Sequence, residues 1–185
     1  MILKTKRLIL RSWHERDASQ LYELAKDPRV GPPAGWPVHE SVENSKDIIK
    51  FVLSVPETYA ITLKENNEVI GSIGVLTGCH SHLKLEKNEC EIGYWIGVPY
   101  QNNGYATEAC MEIIRHCFEK LNFNAVWCGY YEGNEKSKRV QKKCGFKYVY
   151  SNQNAYCDLM GEVRTEHFSK LTLFNYENRE IAKKQ

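Results

Sequence analysis

An amphipathic helix that follows directly on a strand limits the fold of this chain more than any other feature of its sequence. Over residues 106–121 the apolar positions recur at steps of three and one; they are Ala106, Ala109, Cys110, Ile113, Ile114, Cys117, Phe118 and Leu121. This stripe is typical of one buried helix face. Over residues 89–98, mostly apolar side chains at the even-numbered positions alternate with glutamate, glycine and tryptophan at the odd-numbered ones. This alternation predicts a strand. The short turn between the two elements predicts that the helix packs on a sheet.

The other segments predict a mixed α/β fold. Strands are predicted over residues 7–11, 58–63, 69–76, 124–130, 146–150 and 165–173. Further helices are predicted after Ser12 and Ser41 and over residues 134–144. Because the early strands form a hairpin and the later ones are separated by helices, we expect a mixed sheet with helices on both faces. The 185 residues fit one domain over 1–185, with a polar, mobile tail over about 174–185.

Charge and hydropathy argue against two classes of function. The chain has 25 basic and 23 acidic residues, a net charge of +2, which gives no case for a nucleic-acid partner. No apolar run approaches the roughly 18 residues that would cross a membrane, so no membrane partner is expected. The basic N-terminus lacks the apolar core of a signal peptide, and we therefore expect a cytoplasmic protein.

The seven cysteines predict buried thiols rather than disulfides or a metal site. Their number is odd, there is no Cys-x-x-Cys pair, and most occupy positions where an apolar residue would fit. The only cluster that suggests a metal is Cys79 with His80 and His82. Zinc sites need more ligands at regular short spacing, so we expect no bound metal.

The turn before the long helix has the form of an anion site. It reads Gln101-Asn102-Asn103-Gly104-Tyr105-Ala106, and Gly104 allows the backbone to approach a ligand closely. Free N–H groups at a helix start favour an anion such as a diphosphate. The turn matches neither the Walker loop nor the dinucleotide fingerprint. A helix capped by asparagine, with no ligand, is the alternative at this point.

A larger pattern around this turn resembles the GNAT superfamily of N-acetyltransferases. Gln101-x-x-Gly104-x-Ala106 is similar to the acetyl-CoA signature of that family, and residues 91–96 are similar to its fourth strand. Residues 134–137 and 144–146 resemble its next block, and residues 5–11 resemble the branch of the ribosomal-protein N-terminal acetyltransferases. The resemblance covers about residues 5–173. It implies a mostly antiparallel sheet of about seven strands, splayed between strands four and five, with helices on both faces.

The resemblance also implies the cofactor and the residues that hold it. Acetyl-CoA would lie in the splay, with its pantetheine arm hydrogen-bonded to the backbone at Ile96 and Val98. Its diphosphate would meet the turn and the helix start, namely Gln101, Asn102, Asn103, Gly104, Tyr105, Ala106 and Thr107. Asn134 and Ser137 would contact the pantetheine arm and the sulfur. Asn134 also has the character of a helix cap.

For catalysis, the family resemblance implies a base and a group near the leaving sulfur. Glu91 matches the fourth-strand glutamate that serves as base, and burial against Trp95 would raise its pKa. Glu89 is the alternative base on the same strand face, and a water is a third. Ser137 is expected beside the sulfur. Related enzymes have an acid tyrosine four residues further on, where this chain has Gln141, so the proton donor is left open.

The acceptor is the least constrained part of the prediction. Trp36, in a rigid Pro/Gly loop, and Tyr94 are expected to line its pocket. The family branch implies a protein or peptide N-terminal α-amine, attacking directly in a ternary complex. A small amine or an antibiotic is the alternative acceptor, and a non-catalytic acyl-CoA sensor is the alternative function. Many members of the family are homodimers, so a homodimer is an open expectation.

Overall fold

The computed structural model describes residues 1–81 and 83–182, apart from the side chain of Cys79. The described residues form one sheet of eight strands and five α-helices. The strands are β1 (Leu3–Lys4), β2 (Leu8–Arg11), β3 (Thr58–Leu63), β4 (Val69–Leu76), β5 (Glu89–Ile96), β6 (Ala125–Tyr131), β7 (Lys147–Cys157) and β8 (Glu162–Thr172). The helices are α1 (Ala18–Ala25), α2 (Val42–Ile48), α3 (Tyr105–Glu119), α4 (Glu135–Cys144) and α5 (Leu173–Ala182).

The sheet is mixed and mostly antiparallel, which confirms the predicted fold class. Its strand order is β1-β2-β3-β4-β5-β6-β8-β7, and among the described strands only β5 and β6 pair in parallel. The parallel pair arises because α3 carries the chain from the end of β5 back to the start of β6, the crossover that parallel neighbours require. The family's fourth and fifth strands are therefore β5 and β6, since the two-residue β1 precedes them.

Alternation along the strands divides the core between the two sheet faces. In β3, Tyr59 and Ile61 belong to the larger buried cluster with α3, whereas Ala60 belongs to a smaller cluster with α1 and with Ile49, the residue that follows α2. Successive side chains of a strand point to opposite faces, so the helices cover both. The predicted apolar stripe of α3 is buried as expected, with Ile113 and Cys117 at 0% exposure.

Strands β5 and β6 pair only at their beginnings. Their registered positions are Glu89 with Ala125, Cys90 with Val126 and Glu91 with Trp127. Beyond these positions β5 continues to pair with β4 as far as Ile96, and β6 continues with β8 as far as Tyr131. The two strands therefore separate after Glu91, which confirms the expected splay and opens a gap in the sheet.

The C-terminal segment differs from the prediction of a mobile polar tail. Residues Leu173–Ala182 form the helix α5. The Tyr176 ring packs on Phe118 of α3 with ring centroids 4.9 Å apart, and Arg179 Nη2 donates to the carbonyl oxygen of Lys143 at 2.6 Å. The prediction was wrong because no long apolar stripe marks this segment: Leu173 and Tyr176 pack on the core, and Arg179 adds the hydrogen bond.

The prediction of buried, free thiols is confirmed for the cysteine side chains that the structure describes. The side chains of Cys90, Cys110, Cys117, Cys128, Cys144 and Cys157 are buried and free, as expected. The Cys79 side chain and His82 lie outside the described residues, so the cluster that suggested a metal is not assessed. Within 1–81 and 83–182, no helix combines the length and apolar character needed to cross a membrane.

Candidate active site

The gap between β5 and β6 is the mouth of a cavity of about 1320 Å³. Its walls come from β5 and β6, from the start of α3 and from one face of α4. A 3₁₀-helical turn, Pro32–Ala34, contributes a further wall. A groove of this size, opening where strands diverge and reaching a helix N-terminus, fits an extended ligand with an anionic end.

The loop into α3 is shaped by its own side chains. Gln101 Nε2 donates to the Ile96 carbonyl oxygen at 2.9 Å, and Asn103 Nδ2 donates to the Tyr100 carbonyl oxygen at 3.3 Å. Gly104 caps the helix with φ +80°, a left-handed conformation that favours glycine. The first N–H groups of α3 have no partner within the helix, and the residues that carry them, Tyr105, Ala106 and Thr107, line the cavity. This turn is therefore built to present backbone donors.

An arginine that the sequence analysis did not single out supports the same loop. Arg7 Nη1 donates to the Asn103 carbonyl oxygen at 3.0 Å, and its guanidinium lies 4.4 Å from the centroid of the Tyr105 ring. Arg7 Nε also pairs with Glu108 Oε2 at 2.7 Å. Burial raises the pKa of Glu108, but hydrogen bonds from Thr5 and Arg7 outweigh it and leave that pKa lowered. The pair ties the first strands to the start of α3.

A polar cluster spans the gap opposite that loop. Tyr94 Oη lies 3.0 Å from Ser137 Oγ and 3.3 Å from the Ser137 carbonyl oxygen. Gln141 Nε2 donates to the Gly129 carbonyl oxygen at 3.1 Å and lies 3.4 Å from Ser137 Oγ. Burial holds the pKa of Tyr94 well above its usual value of 10.0. Tyr94 thus stays neutral and able to donate, while Gln141 holds Ser137 in place.

Asn134 joins this cluster to the turn that walls the cavity. Its Oδ1 accepts from the backbone N–H of Ser137 at 3.1 Å, which caps α4, and its Nδ2 donates to the Pro33 carbonyl oxygen at 3.2 Å. From β8, Arg164 Nη1 donates to the Pro32 carbonyl oxygen at 2.6 Å. The predicted cap is confirmed, and the turn is held by two side chains from across the cavity.

The two candidate bases on β5 lie in different surroundings. The Glu91 side chain lines the cavity, is buried at 4% exposure, and accepts from Ser81 Oγ at 2.7 Å. Glu89 is not among the residues that line the cavity, and it pairs with Lys170 and accepts from Trp127 Nε1 at 2.8 Å. Burial raises the pKa of Glu89, but these hydrogen bonds outweigh it and lower that pKa. Of these two carboxylates, Glu91 is therefore the one that lines the cavity.

The structure brings most of the predicted site residues to one cavity. Those that line it are Glu91, Tyr94, Ile96, Gln101, Asn102, Gly104, Tyr105, Ala106, Thr107, Asn134 and Ser137. Val98, Asn103 and Trp36 are not among the lining residues. Strand β5 ends at Ile96, so Val98 begins a 3₁₀-helical turn instead. Trp36 packs on Trp95, with ring centroids 5.7 Å apart, rather than facing the cavity.

Sequence reasoning missed a second buried carboxylate in the cavity wall. Glu166 of β8 is 5% exposed and lines the cavity. A Cβ at Gly129 would lie 2.6 Å from Glu166 Oε1, so the glycine makes room for this carboxylate. The β8 sequence alternates without marking which acidic residue is buried. Only the pairing of β6 with β8 reveals the relation of Glu166 to Gly129.

Comparison with known proteins shows similarity in sequence. The profile of the acetyltransferase (GNAT) domain matches residues 7–147. The uncharacterised N-acetyltransferase YoaA of Bacillus subtilis is 27% identical over 167 residues, covering 84% of this chain and 92% of YoaA.

Two solved structures are similar in fold. The ribosomal-protein-S5-alanine acetyltransferase of Vibrio fischeri has a TM-score of 0.71 at 17% identity, covering 93% of this chain and 96% of its own. The microcin C7 self-immunity acetyltransferase MccE, solved with acetyl-CoA and AMP, has a TM-score of 0.74 at 18% identity, covering 91% and 94%. With the profile match over more than half of its length, the chain belongs to the GNAT family of N-acetyltransferases.

Proposed function

We propose that this acetyltransferase, acting as a single domain, moves the acetyl group of acetyl-CoA to the N-terminal α-amine of a protein or peptide. The observation that carries the proposal is the cavity itself. It combines a buried carboxylate, Glu91, and a hydroxyl pair, Tyr94 and Ser137, with the amide-lined start of α3. These are the groups that amine deprotonation, thiolate stabilisation and diphosphate binding require.

The loop and α3 support acetyl-CoA as the donor. The diphosphate would accept from the backbone N–H groups of residues 105–107, with the loop Gln101–Gly104 around it and no Cβ at Gly104 in the way. The pantetheine arm would run along β5. We assign its backbone contact to Ile96, which lines the cavity, and not to Val98, which does not. Asn134 and Ser137 would meet the arm from α4.

The chemical step we propose is direct attack. Glu91, directly or through a water, accepts the proton of the acceptor ammonium, which frees the nitrogen lone pair. The nitrogen bonds to the thioester carbonyl carbon as the carbon–sulfur bond breaks. Ser137 Oγ–H donates a hydrogen bond to the departing sulfur, a contact that stabilises developing negative charge. After the attack the nitrogen carries a positive charge, and it loses a second proton as the neutral amide forms. The thiolate takes up one proton and the proton held by Glu91 leaves to solvent, so one proton is released per amine acetylated and the reaction balances.

An α-amine acceptor is supported by the family branch and by the fold shared with the ribosomal-protein-S5-alanine acetyltransferase. The cavity is also lined by the Pro32–Ala34 turn, by the end of β6 and by residues 164–166 near the start of β8. An extended N-terminus would fit in this space. MccE has a similar fold, however, and a small-molecule acceptor is the rival proposal.

The test is release of free thiol from acetyl-CoA with peptides of varied N-terminal residue, polyamines, amino acids and aminoglycosides. Wild type, Glu91→Gln and Glu89→Gln would run side by side. Release with peptides, lost in Glu91→Gln and kept in Glu89→Gln, supports the proposal. Release with small amines alone contradicts the peptide acceptor. Acetyl-CoA binding without release for any acceptor favours a non-catalytic acyl-CoA sensor.

A further inference from the structure

One face of α4 presents three cations to the cavity. Lys136, Arg139 and Lys143 stand at positions i, i+3 and i+7, which share a helix face, and all three line the cavity. Lys138 and Lys142 of the same helix do not line it. All five side chains are exposed. We call Lys136, Arg139 and Lys143 the inward set and Lys138 and Lys142 the outward set.

The inward set keeps positive charge directed at the cavity. Lys136 Nζ donates to Gln101 Oε1 at 2.7 Å, a neutral partner. Among residues 1–81 and 83–182, no salt bridge involves Arg139 or Lys143. The acidic residue of α4, Glu135, pairs instead with the outward Lys138 at 3.4 Å. Two exposed carboxylates, Glu132 and Glu135, also line the cavity, but among the described residues neither forms a salt bridge with an inward cation.

The charge on the proposed donor matches this arrangement. The start of α3 offers backbone N–H groups to one anion, the diphosphate. Coenzyme A carries a second anion, a phosphate monoester at the ribose 3′ position, and such a group holds close to two negative charges at neutral pH. A guanidinium with neighbouring ammonium groups suits a phosphate monoester.

We propose that Arg139 and Lys143, with Lys136, bind the 3′-phosphate and make the enzyme select coenzyme A over analogues that lack it. This inference rests on the proposed use of acetyl-CoA. Because the side chains are exposed, each contact is weak, and together they give about a tenfold preference. The preference falls with added salt, since the Debye length shrinks from about 10 Å at 0.1 M to about 3 Å at 1 M.

The experiment measures the dissociation constants of coenzyme A and of dephospho-coenzyme A, which differ only in the 3′-phosphate, by titration calorimetry. The inward variant is Arg139→Gln/Lys143→Gln. The matched control is Lys138→Gln/Lys142→Gln, which removes the same charge from the outward face of the same helix. Glutamine keeps a long side chain at each exposed position, so folding should persist, and a thermal melt checks it.

We expect the wild type and the control to prefer coenzyme A about tenfold, and the inward variant to bind both ligands equally, with unchanged affinity for dephospho-coenzyme A. If the inward variant and the control lost the preference for coenzyme A equally, the cause would be the net charge of the helix, and the inference would be overturned. A preserved preference for coenzyme A in the inward variant would overturn it as well. Binding of neither ligand to the wild type would instead overturn the proposed function on which the inference rests.

Discussion

Tyr94 Oη lies 3.0 Å from Ser137 Oγ, so that a hydroxyl of β5 meets a hydroxyl of α4 across the gap between β5 and β6. Gln141 Nε2 lies 3.4 Å from the same Oγ. A serine hydroxyl has one hydrogen and two acceptor lone pairs. The single hydrogen of the Tyr94 hydroxyl lies within reach of both the Ser137 carbonyl oxygen and Ser137 Oγ. When it points to Oγ and Gln141 donates there as well, the serine hydrogen remains for the cavity. In the mechanism proposed above, that hydrogen is the one donated to the departing sulfur.

Replacing Tyr94 by Phe should therefore lower kcat while leaving the KM for acetyl-CoA nearly unchanged. Loss of one hydrogen bond that orients Ser137 corresponds to about a tenfold drop. Ser137→Ala should lower kcat by at least the same factor. The double variant should be no slower than Ser137→Ala, because Tyr94 acts through Ser137.

Steady-state thiol release checks this, with Tyr130→Phe as the control, since Tyr130 is another tyrosine that lines the cavity. Equal slowing by Tyr130→Phe would show that any change in the wall perturbs turnover. If the reduction of kcat in the double variant equalled the product of the two single reductions, Tyr94 would act independently of Ser137.

Gly104→Ala should weaken acetyl-CoA binding by more than it weakens folding. The residue has φ +80°, where an L side chain costs about 1–2 kcal/mol. Its Cβ would meet only Arg7 Nη2, at the ordinary contact distance of 3.5 Å, so the fold should persist. The methyl group would stand in the turn where the diphosphate is proposed to lie.

Gly161→Ala is the matched control, because it has φ +65°, meets nothing within 4 Å and does not line the cavity. Urea unfolding and calorimetric titration with acetyl-CoA separate the two effects. We expect Gly104→Ala and Gly161→Ala to lose similar amounts of stability. Only Gly104→Ala should have a raised dissociation constant for acetyl-CoA. Unchanged affinity in Gly104→Ala would place the diphosphate elsewhere.

Asp17→Asn should destabilise the fold by about 2 kcal/mol, below the usual cost of breaking a fully buried pair because Arg11 reaches some water. Asp17 is 3% exposed, pairs with Arg11 at 2.7 Å and accepts from the His14 N–H at 3.0 Å. Burial raises the pKa of Asp17, but these hydrogen bonds outweigh it and the pKa is lowered.

The sign of the pH effect follows from that lowered pKa. The carboxylate stabilises the fold fully above the unfolded pKa of about 3.9, and this stability is lost as pH falls through the lower folded pKa. Urea unfolding at pH 7 and at pH 3 should show a smaller acid loss in Asp17→Asn than in wild type. The control Asp158→Asn removes an exposed carboxylate that forms no salt bridge among the described residues, so it should alter neither the stability at pH 7 nor the acid loss. An unaltered acid loss in Asp17→Asn would contradict the assignment.

The elements that sequence predicted well are those whose own side chains specify them. The stripe of α3 and the alternation of β5 need no distant partner, and the turn before α3 carries its own glycine. Glu91 and Ser137 came from a resemblance, and the structure places both in one cavity. Trp36 was predicted to line that cavity, but a Cβ at Gly31 would lie 2.4 Å from the Trp36 ring, which shows how closely the ring packs under its own loop.

The elements that sequence missed depend on contacts far along the chain. Glu166 is buried because β8 pairs with β6 beside Gly129, and Arg7 reaches the loop at Asn103 from the first strands. Helix α5 has only half-buried and exposed residues, so no apolar pattern marks it. Its position rests on the contacts of Tyr176 and Arg179.

Tyr176 offers a direct test of how α5 is held. Its ring packs on Phe118, with centroids 4.9 Å apart, and its Oη donates to Glu119 Oε1 at 3.1 Å. Tyr176→Ala should lower the free energy of unfolding by about 2 kcal/mol, less than the 3–5 kcal/mol of a fully buried aromatic. Tyr176→Phe keeps the ring and loses only an exposed hydrogen bond, so it should cost under about 1 kcal/mol.

Urea unfolding gives these free energies, and the acetyl-CoA dissociation constant should be the same in both variants, because Tyr176 does not line the cavity. Limited proteolysis adds a second readout, since release of α5 in Tyr176→Ala exposes its peptide bonds before the rest of the chain unfolds. Equal costs for the two substitutions would mean that the hydroxyl, not the ring, holds α5. A negligible cost for Tyr176→Ala would mean that Arg179 and the chain connection to β8 suffice.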